Sequence, residues 1–178
     1  MKALEREAIE SLLGIIPNHP RVRIAHFSES GEVFVDALNA LAKDREYEYQ
    51  LSIVNADFLS ATRERCSFND ISLIKGMKWE QNRYASEARQ FDFLFVTAEV
   101  PQDFRREFAQ KIYSHIKSAG QIILFLEKHN SQNCDEWQMF LEEYAFVSMS
   151  TLDIFKNYEL LIARKMHGWS GKWLGSLF

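Results

Sequence analysis

Residues 21–43 read RVRIAHFSESGEVFVDALNALAK, and their periodicity changes once, in the middle. Val22, Ile24 and Ala25–Phe27 make a short apolar run with the character of a strand. Ser28, Glu29, Ser30, Gly31 and Glu32 then form a small, polar cluster. Beyond it Phe34, Ala37, Leu38 and Leu41 fall at i, i+3, i+4 and i+7, one face of a helix. Strand, tight turn and helix in immediate succession are the first half of a βαβ unit. In open α/β sheets ligands lie beyond the carboxyl ends of strands, where the free N–H groups of a helix start meet them. The turn holds a single glycine, where phosphate-cradling loops carry three.

Working outward, residues 2–16 place Ile9, Leu12, Leu13 and Ile16 on one helical face, and Pro17 and Pro20 end that helix. After the opening unit, Glu46–Val54 alternates as a second strand, and Asn55 or Asp57 caps a helix over about 58–65. Ile71–Ile74 is a short β-rich run, and 78–90 a polar helix or irregular crossover whose charge run Arg83–Arg89 reads as a solvated face. Phe91–Val100 is near-continuously apolar, as expected of a strand buried on both faces. Asp103 caps a helix carrying Phe104, Phe108, Ile112 and Ile116, which Ala119–Gly120 closes. Gln121–Leu126 is another buried strand, and Cys134–Tyr144 a helix aligning Trp137, Phe140, Leu141 and Tyr144. Phe146–Phe155 and Tyr158–Arg164, parted only by Lys156–Asn157, form an antiparallel hairpin.

The bulk properties narrow the class. A chain of 178 residues, 47% hydrophobic and 26% charged, reads as one domain spanning 1–178, with residues 1–19 an N-terminal helix and 166–178 a tail. Net charge of −4 argues against a general polyanion-binding field, so nucleic acid is not an expected partner. Cys66 and Cys134 lack metal-type spacing and read as a reduced pair. No apolar run approaches the ~20 residues of a membrane span and the first residues are too acidic for a signal peptide, so a cytoplasmic protein is expected.

Alternating β and α elements that finish in an antiparallel hairpin resemble the class I S-adenosylmethionine-dependent methyltransferases. His115–Glu127, HIKSAGQIILFLE, is similar to that family's turn and fifth strand. The resemblance spans roughly residues 20–165. It implies an α/β three-layer Rossmann-like sheet, mostly parallel, of order 3-2-1-4-5-7-6, with S-adenosylmethionine as cofactor and an unidentified acceptor as substrate.

Carried onto this sequence, the family's motifs give candidate cofactor positions. His26 stands where an acidic residue ends the first strand, and Ser28, Ser30 and Glu32 take glycine places, with Gly31 out of register. After the second strand the acid that accepts from both ribose hydroxyls is replaced by Asn55, with Asp57 two residues on. Each also suits a helix cap. Met77 lies where adenine is contacted, and equally suits a core position. Thr97 joins this set at the end of the fourth strand. Glu99 is the candidate catalytic residue, as a general base or a binder of a cationic substrate, against a solvated strand-end role.

Five scattered histidines, His26 the one in the expected pocket, show no metal-ligand spacing, and there is no G-x-S-x-G elbow or Walker loop. Arg164, Lys165, His167 and Lys172 with Trp169 and Trp173 cluster in the tail, as a structural clasp with both Trp residues packed on the domain, or as a surface that stacks on bases and meets phosphates or inserts into a partner groove. Three functions follow. The first is a small methyltransferase. The second is a non-catalytic descendant that has lost the cofactor and meets a protein partner or a second copy of itself. The third, a nicotinamide-binding protein, lacks the G-x-G-x-x-G fingerprint.

Overall fold

The computed structural model describes residues 2–84, 90–128 and 131–166, with Ser131 placed as backbone only. Seven strands form one sheet: β1 (Arg23–Ser28), β2 (Glu48–Ile53), β3 (Leu73–Gly76), β4 (Phe91–Val96), β5 (Ile116–Glu127), β6 (Phe146–Leu152) and β7 (Tyr158–Lys165). Their order is β3-β2-β1-β4-β5-β7-β6, parallel up to β5, with β7 antiparallel to both neighbours. The helices are α1 (Arg6–Leu13), α2 (Glu32–Asp44), α3 (Ala56–Arg65), α4 (Gln102–Tyr113) and α5 (Ser131–Glu143). The expected sheet is the observed one.

Strand alternation divides the interior into two layers. On one face Ile24, Leu51, Phe95 and Ile123 pack with Ile9, Phe34 and Leu38 of α1 and α2. On the other, Phe27, Leu94, Leu124 and Leu161 pack with Phe108 and Ile112 of α4 and Trp137 and Leu141 of α5. Phe34 is fully buried and meets Phe95 and Phe125 edge-on, with ring centroids 5.5 and 5.1 Å away. Such pairs contribute about 0.5–1.5 kcal/mol each beyond area burial. The first turn of α2 is thereby pinned over the middle of the sheet.

Several boundaries differ from the sequence expectation, for local reasons. Helix α1 is shorter than 2–16: it stops at Leu13, and residues 2–5 precede it without helical structure. Strand β2 is trimmed at both ends, and β3 lies two residues later than expected, in register with Gln50–Ile53. Residues 78–84 contain no helix; 85–89 lie outside the described residues, as does the tail from 167 onward. Strand β4 ends at Val96 rather than Val100, because Thr97 and Ala98 turn back and donate their N–H groups to the Phe27 carbonyl. Pro101, not Asp103, occupies the N-cap of α4, and Asp103 sits in its first turn. Ala119–Gly120 does not close α4. The helix ends at Tyr113, and the pair lies inside β5, where pairing with β4 slips between Phe91 and Phe93. Ala119 takes a left-handed φ of 65°, and a Cβ on Gly120 would come within 2.8–3.0 Å of Ile116 Cγ2 and the Lys117 and Phe91 carbonyls. Helix α5 begins three residues before Cys134. The hairpin loop runs over 153–157, longer than Lys156–Asn157, and Phe155 within it is buried in the core.

Candidate functional site

Parallel strands β1, β2 and β4 deliver their carboxyl ends to one crest, where the nominated residues fall. His26 lies two residues before the end of β1 and is fully buried. Its ring stacks on Tyr49 at 6.2 Å and meets Phe34 edge-on at 5.3 Å. Both nitrogens are engaged, Nδ1 with the Tyr49 hydroxyl at 2.9 Å and Nε2 with Thr97 Oγ1 at 2.7 Å. The set is satisfied by the Nε2–H tautomer: Tyr49 donates to Nδ1, Nε2–H donates to Thr97, and Thr97 donates to the Phe27 carbonyl at 3.4 Å. Burial pushes the His26 pKa down to about 3, so the ring is neutral. Tyr49 moves the opposite way, its pKa raised by burial and then by Cys66 and Asp36, and it keeps its proton.

The β1–α2 turn is closed by its own groups. Ser28 is buried and donates its hydroxyl to the Ser30 carbonyl at 2.8 Å. Gly31 is the N-cap residue of α2 at φ 99°, a conformation that disfavours a side chain. Glu32 follows, exposed in the first helical turn, where the helix dipole favours its charge. At the end of β2, Asn55 Oδ1 accepts from the Phe58 N–H at 2.9 Å and caps α3, while Asp57 is exposed in that helix's first turn. Met77 is 4% exposed and packs in the same core layer as Trp79 and Tyr84.

S-adenosylmethionine is the group this fold implies, and these side chains do not fit the family's way of holding it. A neutral, sealed imidazole replaces the first acid. The second is an amide whose oxygen is already used as a cap. The glycine places carry a hydroxyl bonded within the loop and a carboxylate that repels the cofactor's own. Met77 is committed to the core. The crest brings His26 and Thr97 together, and Ser28 with Ser30; Asn55 and Asp57 serve the start of α3.

A second feature opens beside this crest, over the ends of β4 and β5. It is a cleft of about 150 Å³. It is lined by Val96 and the segment Thr97–Val100 that follows β4, by Leu124–Leu126 of β5, and by Asn133 and Trp137 of α5. Glu29 of the β1–α2 turn, Glu127 at the end of β5 and Tyr158 at the start of β7 complete the rim. Glu99, the candidate catalytic residue, is exposed on its edge. Arg105 reaches in from α4, and its guanidinium donates to the Val100 carbonyl, Asn133 and Glu136. Arg105, Asn133, Trp137 and Tyr158 are not site candidates from sequence alone, being scattered over more than fifty residues. Register was the missing signal: Glu127 and Tyr158 stand directly opposite each other in the β5–β7 ladder. Among the described residues no group of three or more His, Cys, Asp or Glu side chains is placed to hold a metal, and no helix is long and apolar enough to cross a membrane.

No protein-family model matches the sequence, and no curated protein matches it. Solved structures do match. A Thermotoga maritima S-adenosylmethionine-dependent O-methyltransferase superposes with a TM-score of 0.72 at 12% identity, over 96% of this chain and 69% of that one. A methyltransferase from Pyrococcus furiosus gives 0.66 at 14%, over 90% and 83%. A TehB-like methyltransferase from Corynebacterium glutamicum gives 0.66 at 8%, over 89% and 86%. At these identities the likeness concerns the fold, and the chain has the class I S-adenosylmethionine-dependent methyltransferase-like fold.

Proposed function

We propose that this chain is a methyltransferase-fold binding module that works without S-adenosylmethionine, using the cleft over β4 and β5 as its functional surface. One observation carries the reading. The end of β1, where the family places an acid facing its cofactor, is filled by a neutral His26 with both nitrogens bonded inside the core. A ligand ammonium offered there meets a filled hydrogen-bond set instead of a carboxylate, and desolvation without a partner is unfavourable. Ser28–Ser30 and the Asn55 cap support the same reading from two other elements.

Calorimetric titration of the full chain with S-adenosylhomocysteine tests it. No heat at millimolar ligand is expected, from a protein that melts cooperatively. Saturable binding at micromolar affinity overturns it.

A second reading, an active methyltransferase of unidentified acceptor, is favoured by the intact strand order and by Glu99 on the cleft edge. In that reading Glu99 handles a proton or a cationic acceptor. The same titration separates the two.

A further inference from the structure

The cleft has a polarity that the binding-module reading leaves unassigned. Glu29, Glu99 and Glu127 approach one opening from three separate parts of the chain. Their charges converge on the Tyr158 hydroxyl, whose pKa is raised by burial first and then by Glu127, Glu29 and Glu99, against the lowering effect of the Lys2 backbone contact. Arg105, the one cation among the described lining residues, is already turned to the Val100 carbonyl, Asn133 and Glu136. The same lining includes the apolar Trp137, Val100 and Leu126, all at least nine-tenths buried.

Independently, the chain seats an ammonium of its own on this rim. Lys2 Nζ lies 3.5 Å from Glu127 Oε1, and the Lys2 N–H donates to the Tyr158 hydroxyl at 2.6 Å. Leu4 packs against the core and Glu5 accepts from the Lys156 N–H at 3.5 Å, so residues 2–5 form a strap across the start of β7. Lys2 and Glu127 are both about half exposed, which makes this ion pair weak and displaceable.

We propose that the cleft binds a ligand ending in a primary ammonium group, its carbon stem on Trp137 and its head among Glu29, Glu99 and Glu127, and that Lys2 is the built-in competitor for that rim. The proposal deepens the binding-module reading by naming the ligand class of the same site. A volume of about 150 Å³ equals roughly five waters, enough for an ammonium on a short alkyl stem.

The test uses the full chain, uniformly labelled with nitrogen-15, titrated with n-butylammonium and in parallel with n-butanol, which has the same carbon skeleton and no charge. Saturable amide shifts at Glu99, Glu127 and Tyr158 are expected with the ammonium, several-fold stronger than with the alcohol and weakened by added salt. Glu99→Gln weakens the ammonium several-fold, and Lys2→Ala strengthens it. Equal response to amine and alcohol, no saturable shift in the cleft, or an affinity indifferent to Lys2→Ala overturns the proposal. Amide dispersion reports that each variant is folded. Binding of S-adenosylhomocysteine would overturn the cofactor-free reading while leaving the preference of ammonium over alcohol standing, so the two failures are distinguishable.

Discussion

His26 is titrated by the fold in a way that stability measurements can read. In the unfolded chain it takes a proton near pH 6.5; in the folded core it stays neutral down to about 3. Between these values the unfolded state holds more protons, so stability is fully present above pH 6.5 and is lost as pH falls towards 3. At about 1.4 kcal/mol per pH unit, lowering the pH from about 7 to about 5 removes about 2 kcal/mol. His115, whose pKa burial and then Lys75, Arg83 and Lys165 also lower, acts in the same direction, so wild type alone cannot isolate the effect. His26→Gln can. Glutamine keeps an amide to pair with Tyr49 or Thr97, removes the titration, and leaves His115 in place. The variant is less stable at neutral pH, by about 1–3 kcal/mol for the hydrogen bond left unmade. That deficit shrinks by about 2 kcal/mol at about pH 5, read as a relative shift in urea midpoint of about 1 M at unchanged slope. Urea unfolding followed by tryptophan fluorescence at the two pH values measures it. Parallel losses in wild type and variant over that range would refute the sealed, neutral imidazole.

Two substitutions probe the elements beside it. Asn55→Ala removes the cap that Phe58 N–H uses and lowers stability by about 1 kcal/mol in a thermal melt, with the cleft amides unshifted. Gly120→Ala forces a Cβ against two carbonyls and Ile116 Cγ2, and is expected to cost about 1–3 kcal/mol in chemical denaturation, more than Gly14→Ala, whose single tight contact is the Ser11 carbonyl at 3.1 Å.

The sheet was legible because each central strand carries its own signal. Phe93–Val96 and Ile122–Leu126 are apolar without interruption, since both faces of a parallel sheet are covered, and the last two runs are too close together for a crossover. Strand ends were less legible. Ala98 and Val100 are as buried as strand residues, yet they lie past the end of β4 in the lining of the cleft, and composition does not distinguish the two. Ala119–Gly120 misled for a similar reason: a bulge and a helix end both ask for a small residue and a left-handed turn. At the candidate site, the substitution of His26 for an acid was visible in the sequence. That Tyr49, twenty-three residues away, and Thr97, seventy-one away, would close over it was not, because those contacts exist only once β1 lies between β2 and β4.

The placing of β7 between β5 and β6 has a consequence for how the polypeptide is made. During synthesis β5 is finished long before its partner, and β6, next to emerge, has no place beside it. From Gln121 to Glu127 the growing chain carries an apolar edge with open backbone donors and acceptors, a template for pairing with a neighbouring nascent chain. Only when residues 158–165 have left the ribosome can that edge close, and β6 then docks last, as the outer rail of a sheet completed from the inside.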